Sequence, residues 1–382
     1  MSGAEARHQA MSGFDAAPMT YLDNAATTRV LPAVKGAMDA AASGNPSSIH
    51  AAGRAARRQV EDARDAIAEI AGVDPKEVVF TSGATEANNL AVLGVATGHV
   101  VATAVEHPSV LEACAALETT RVPVDGEGRV DPRDVERAIG PRTSLVSAMW
   151  GNNETGVIEP VAEIAAIAKA RGVPVHVDAA QACGKVRLRM TGDLMTISAH
   201  KMHGPKGAGA LLVRRGVRLR ARAVGGGQEF ERRAGTENVA GILGLAKALE
   251  LAERELGART ARMAALSSRL RSALARLPDV AFNTPERGAL PHIVNARFRG
   301  VDGEAVVIAL DAEGVCVSSG SACASQSLEP SHVLLAMGLA PEEARGSVRF
   351  SFGADTTEAE VDRAAEATAK VVARLRGISS AV

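Results

Sequence analysis

From Lys76 onward, short runs of apolar and β-branched residues alternate with stretches of helical periodicity. "EVVFTS" leads into a helical pattern from Ala84, and "HVVATAV" into another over about 110–117. "TSLVSAMW" precedes "PVAEIAAIAKARG", whose Pro160 lies near the first turn and whose Gly172 follows the last, as helix punctuation requires. "VPVHV", "DLMTIS" and "GALLV" follow. Strands that are apolar throughout are covered on both faces, so the pattern predicts a mostly parallel sheet between two helical layers.

After Glu237 the pattern changes. "NVAGILGLAKALELAERELG" and "RTARMAALSSRLRSALARL" predict two helices running through Leu277. A weaker strand–helix set follows, "HIVNARF", "EAVVIAL", "GVCVS" and "SVRFSF", closed by the helix "EAEVDRAAEATAKVVARL". This reads as a smaller C-terminal α+β domain. The expected division is a large domain over 33–257 and a small one over 258–382, with 19–32 packing against the small domain and 1–18 a disordered extension. "PSHVLLAMG" reads as a helix with Pro330 in its first turn. The stretch from Cys323 to Glu329 has little apolar area to hold it and is expected to be weakly ordered.

Composition narrows the function. The chain has 382 residues, 46% of them apolar, and a formal net charge of −1. Balanced charge gives no footprint for nucleic acid or an anionic membrane. Aromatic residues at 2% leave little for stacking on bases. The cysteines Cys114, Cys183, Cys316 and Cys323 form no CxxC pair, which argues against a disulfide framework or a metal site. Residues 1–18 hold no apolar run long enough for a secretory or membrane segment and no arginine-rich amphipathic pattern. The expectation is a cytoplasmic protein with free thiols.

Four polar clusters fall at strand ends, where open α/β sheets bind ligands. In "TSGATEANN", Gly83, Ala84 and Thr85 open a helix, which is either a phosphate site or a plain cap. In "HVDAAQACGK", Asp178 follows a buried strand with Gln181 three residues on. Such an acid could hold a pyridinium nitrogen, a metal or a hydroxyl, or cap the next helix. "SAHKMHGPKG" supplies Ser198, His200 and Lys201; a lysine at a buried strand end suits Schiff-base chemistry, or else packs its stem on apolar neighbours. Lys206 is a rival set in a turn. "VEHPSV" brings out His107, able to stack on a planar ring and move a proton, or merely structural. Cys323, in "SSGSACASQSLEPSHV", sits among serines, alanines and a glycine. That is a poor setting for a core cysteine and a good one for a thiol that moves, whereas Cys316 in "GVCVS" suits a core.

Together the clusters compose a pyridoxal phosphate (PLP) site: an imine lysine, an acid for the ring nitrogen, phosphate donors and a stacking histidine. The sequence resembles the class V aminotransferase-like PLP enzymes, and among them the cysteine desulfurases of the NifS/IscS type. The resemblance begins at "YLDNAATT" and includes "NPSSIH", "SGATEANN", "EHPSV", "NNETG", "HVDAAQ", "GGGQE", "GTEN", "SSGSAC" and "RFSFG". It implies the α/β PLP-dependent transferase fold (aminotransferase type I), with a mostly parallel seven-stranded sheet and a smaller α+β domain carrying the cysteine loop. It also implies that Lys201 forms the imine, Asp178 bonds the ring nitrogen, Gln181 the phenolic oxygen, and His107 stacks. Ala84, Thr85, Ser198 and His200 would bind phosphate, with Thr236 of "GTEN" reaching it from the other subunit of a homodimer. Asn153 and Arg349 would hold the carboxylate of L-cysteine. Cys323 would take the sulfur as a persulfide for an acceptor such as an iron–sulfur scaffold protein, with alanine released.

Two departures stand out. Ala234 precedes "GTEN" where the family usually has serine, and the chain stops at "RLRGISSAV" without the scaffold-docking tail of IscS-type members, which favours a NifS-like role. A selenocysteine lyase or another enzyme of the class is the nearest alternative, and a catalytically silent sulfur-relay module a remoter one.

Overall fold

The computed structural model describes residues 19–319 and 329–379. A seven-stranded sheet is built from β2 (Val78–Thr81), β3 (His99–Thr103), β4 (Thr119–Val122), β5 (Thr143–Met149), β6 (Val175–Asp178), β7 (Leu194–Ser198) and β8 (Gly209–Val213) in the order β2-β8-β7-β6-β5-β3-β4. Only β8 runs against its neighbours β7 and β2; the other pairs are parallel. The expectation of a mostly parallel, seven-stranded sheet holds.

The helices in chain order are α1 (Pro32–Asp39), α2 (Ala51–Ala71), α3 (Ala84–Val95), α4 (Pro108–Ala115), α5 (Pro132–Ala138), α6 (Val161–Ala170) and α7 (Val239–Arg254). Side chains of a strand alternate between faces, and the core divides accordingly. Val79, Val100, Ala102, Leu145, Leu194 and Leu211 pack with α3 and α4. Phe80, Val101, Val146, Val177, Met195 and Leu212 pack with α2, α6 and α7.

A second apolar cluster surrounds an antiparallel sheet ordered β12 (Ser318–Ser319), β13 (Ser347–Ser351), β10 (Ile293–Phe298), β9 (Val280–Phe282). Its helices are α8 (Leu256–Leu274), α9 (Gly303–Ala312) and α12 (Glu358–Ser379). The stretch "EAVVIAL" is thus helical, within α9, which Asp302 caps by accepting from the amides of Glu304 and Ala305. The short strand β1 (Thr20–Tyr21) pairs with β11 (Val315–Cys316), and the next residue, Leu22, is buried in the second cluster. Two short helices, α10 (His332–Ala336) and α11 (Pro341–Arg345), complete the set.

One local expectation is corrected. Pro330 is not in the first turn of its helix: Ser331 is the N-cap of α10, its Oγ accepting from the Leu334 amide at 3.2 Å, so the proline precedes the cap. A serine hydroxyl satisfies an orphan amide there, which proline cannot do. Among the described residues no helix is long and apolar enough to cross a membrane.

Candidate active site

The carboxyl ends of β3, β5, β6 and β7 deliver the chemistry to one edge of the large sheet. Asp178 ends β6, Ser198 ends β7, and Lys201 closes the turn Ala199–Lys201 that follows. His107 is the N-cap of α4 beyond β3, its ring Nδ1 accepting from the Ser109 amide at 3.1 Å.

Asp178 is buried, and its two oxygens are held separately. Oδ1 accepts from the Ala180 amide at 2.9 Å, and Oδ2 accepts from Asn88 Nδ2 at 2.7 Å. Lys201 Nζ donates to the carbonyls of Ala25 and Ala26 at 2.6 and 2.9 Å. Gln181 shares the Ala25 carbonyl, its Nε2 donating at 2.7 Å, while His292 Nε2 lies 3.4 Å from its Oε1. The segment from Asp23 to Thr28 therefore lies directly over the lysine. Burial lowers the pKa of His107, with Asp178 opposing and Lys201 and His332 adding to the shift. The imidazole therefore feels the charges of both the lysine and the acid.

His200 is neutral near pH 7: burial, then Lys201, Lys206 and Lys185, bring it to about 4, and its Nδ1 lies 3.2 Å from Thr27 Oγ1. Behind the site, burial lowers Lys185 to about 7; its Nζ donates to the Lys201 carbonyl at 2.5 Å.

At the start of α3, Gly83 has φ +149° and no side chain caps the helix, which leaves Ala84 and Thr85 to open its first turn. The Oγ of Ser198 faces this turn, about 4.0 Å from where a Gly83 Cβ would sit, and it is buried without a hydrogen-bond partner. Gly209 lets β8 approach the same turn; a Cβ there would come within 2.7 Å of the Gly83 Cα. An orphaned hydroxyl beside an uncapped helix N-terminus suits an anion such as phosphate.

On β13, Arg349 is buried with Nη1 donating to the Asn153 carbonyl at 2.8 Å and Nη2 paired to Asp23 Oδ1 at 2.9 Å, while its Nε has no partner. Thr236 is exposed. Cys323 lies outside the described residues, as does most of the stretch expected to be weakly ordered. Asn88, Ser109, Asp23 and the Ala25 carbonyl were not singled out from sequence, although all four stand inside quoted motifs.

The donor set fits PLP: a lysine, a buried aspartate positioned by two hydrogen-bond donors, and an anion cradle, all at one sheet edge. The family comparison agrees. Residues 20–364 match the class-V aminotransferase family, and the chain belongs to it. Within that family it is similar to the cysteine desulfurase of Trichormus azollae, 46% identical over 94% of each chain. It is also similar to the cysteine desulfurase IscS of Dictyoglomus turgidum, 44% identical over 94% of this chain and 96% of the other. A solved NifS-like protein superposes with a TM-score of 0.88 at 36% identity, covering 94% of this chain and 100% of that one.

Proposed function

We propose that this chain is a PLP-dependent cysteine desulfurase that takes sulfur from L-cysteine, releases L-alanine and holds the sulfur as a persulfide on Cys323. The observation that carries the reading is the meeting of Lys201, Asp178 and His107 at one end of the sheet, in a chain whose relatives bear that name. When bound, PLP supplies an electron sink that labilises the substrate Cα proton and weakens its C–S bond. Lys201 is the attachment amine and, once released, the base beside Cα. Asp178, held by Asn88 and Ala180, would bond the ring nitrogen, Gln181 would bond the phenolic oxygen, and His107 would stack on the ring. Ala84, Thr85, Ser198 and His200 hold the phosphate. Arg349 takes the substrate carboxylate on its fork, with Asn153 beside it. The Cys323 thiolate attacks the substrate sulfur, the C–S electron pair stays with carbon, and alanine leaves.

Three further elements belong to this reading. The working unit is a homodimer in which Thr236 reaches the partner's phosphate site. Exposed Ile49, Val224 and Phe230 support it, because they leave apolar area in "NPSSIH" and on both flanks of "GGGQE" for a second copy to cover. The chain divides into a large domain over 33–257 and a small one over 258–382, which the two separate apolar clusters support. The persulfide passes to a cytoplasmic acceptor such as an iron–sulfur scaffold protein.

The test is direct. Holoenzyme given L-cysteine and a thiol reductant is expected to yield alanine and sulfide in equal amounts, and Cys323→Ser to retain PLP while sulfide release falls by orders of magnitude. Alanine formation by the wild type with a persulfide mapped to Cys316 or Cys183 would remove Cys323 from its role. No alanine from cysteine, with turnover of selenocysteine, would replace the activity.

A further inference from the structure

A hydrogen-bond chain behind the site joins the two groups meant to grip the cofactor ring. Asn88 is fully buried on α3 and spends both hydrogens of its Nδ2, one on Asp178 Oδ2 at 2.7 Å and the other on Ser109 Oγ at 2.9 Å. The amide orientation is fixed by charge, since turning it over would set its oxygen against the carboxylate. Having accepted from Asn88, the Ser109 hydroxyl has its own hydrogen left for His107 Nδ1, 2.8 Å away. The Ser109 backbone N–H points at the same nitrogen at 3.1 Å. Two donors converge on Nδ1, so that nitrogen carries a lone pair, and in the neutral imidazole the proton belongs to Nε2.

We infer that Asn88 and Ser109 are positioning residues that lock His107 in the Nε2–H tautomer while holding the Asp178 carboxylate in place, so that His107 meets cofactor and substrate as a hydrogen-bond donor. The base work at Cα then falls to Lys201. This inference rests on the PLP reading of the site and adds a tautomer to it. It also accounts for two polar residues buried in a helix–helix seam: the bond from Asn88 to Ser109 ties α3, which opens at the phosphate cradle, to α4, which His107 caps. Asn88 Oδ1 is left buried without a partner, which marks the residue as kept for its two donors.

The test reads the tautomer independently of turnover. In protein labelled with 15N-histidine, His107 is expected to show a pyridine-like Nδ1 and a pyrrole-like Nε2, with and without PLP. Ser109→Ala and Asn88→Ala are expected to shift that pattern toward tautomer averaging. In the holoenzyme they should lower kcat about ten- to a hundredfold with KM for cysteine little changed, a part of the roughly 10²–10⁴ that a placed acid–base group contributes. Ser109→Thr keeps the hydroxyl and is expected to restore both readouts; it also keeps the question decidable if Asn88→Ala does not fold. A pyrrole-like Nδ1 in the wild type, or unchanged kcat and nitrogen shifts in Ser109→Ala, would overturn the assignment. Absence of desulfurase activity in a wild type that shows the Nε2–H pattern would instead count against the proposed function.

Discussion

At the scale of single residues, the site is organised by which groups burial leaves neutral. Glu106, next to His107, is fully buried, and burial pushes its carboxyl up to about 8, against the pull of the Thr103 hydroxyl and with a further push from Asp178. The Thr103 hydroxyl and the Met149 amide each donate to its Oε1 at 2.6 Å, which a neutral acid or an amide accepts equally well. Because the folded value of about 8 lies above the ordinary 4.5, the native state holds the extra proton between those limits. Stability from this group is therefore full at acid pH and is lost as pH rises through the folded value. Glu106→Gln is expected to be near neutral below about pH 4.5 and increasingly stabilising from there to about pH 8, where the difference levels off; a urea midpoint that falls with pH as steeply as in the wild type across that window would contradict this. A second expectation concerns the lysines. Borohydride reduction of the holoenzyme should place the phosphopyridoxyl label on Lys201, and Lys201→Ala should abolish it. Buried Lys185 is held on the Lys201 carbonyl, and Lys206 is exposed in the turn before β8, so neither is placed to substitute. A label on either, mapped by peptide mass, would reassign the imine.

At the scale of elements, the legible parts were those whose pattern has only one physical solution. The buried strands β5, β7 and β8 and the helix α6 could be read because unbroken apolar runs and end punctuation are strong signals. The direction of β8 was not legible, since a strand that is apolar throughout reads the same either way. What decides it is the connection: β7 ends at Ser198 and β8 starts at Gly209, a span holding one short turn and no crossover helix, which suits an antiparallel return. Helix α2 was missed although its buried stripe, Ala56, Val60, Ala63, Ile67 and Ala71, recurs at helical spacing; its other faces are so charged that the stretch reads as polar on average. Edge strand β4, with Thr120 and Arg121 exposed, carries no apolar run at all. Site residues were legible where a motif placed them at a strand end, as with Asp178 and Lys201. Asn88 was not, because its role comes from facing α4, a contact no local pattern encodes. The motif "GGGQE" likewise hides an anchor. Arg64 on α2 grips Glu229 with two bonds at 2.9 and 3.0 Å, the Phe80 amide adds a third at 2.8 Å, and Glu229, Phe230 and Glu231 all take positive φ. Glu229→Ala strands a buried guanidinium and is expected to cost about 3–5 kcal/mol in urea unfolding. A loss under about 1 kcal/mol, the surface-pair range, would show that the pair does not anchor the loop.

At the scale of the whole molecule, two segments far apart in sequence, 46–64 and 227–237, meet around one cavity of about 260 Å³, lined among others by Pro46, Ser47, Arg64, Glu229, Phe230 and Glu237. Thr236, next to the lining residue Glu237, is exposed, while Asn238 donates to the Gly207 carbonyl at 3.3 Å and fixes the end of that loop. Nothing in the described protomer brings the Thr236 hydroxyl to Ser198 or to the N-terminus of α3, so the phosphate role proposed for it requires a second copy. That requirement makes a complementation test possible. Lys201→Ala homodimers lack the imine lysine, and Thr236→Val homodimers lack the donor given across the interface. A mixed dimer rebuilds one whole site, taking Lys201 from the Thr236→Val subunit and Thr236 from its Lys201→Ala partner, while the other site carries both defects. Co-refolding the two variants at limiting PLP is therefore expected to restore cysteine-dependent alanine release above that of either variant alone. If the mixture gives only the average of the two homodimers, with mixed dimers demonstrated by mass, then Thr236 does not serve the partner's site.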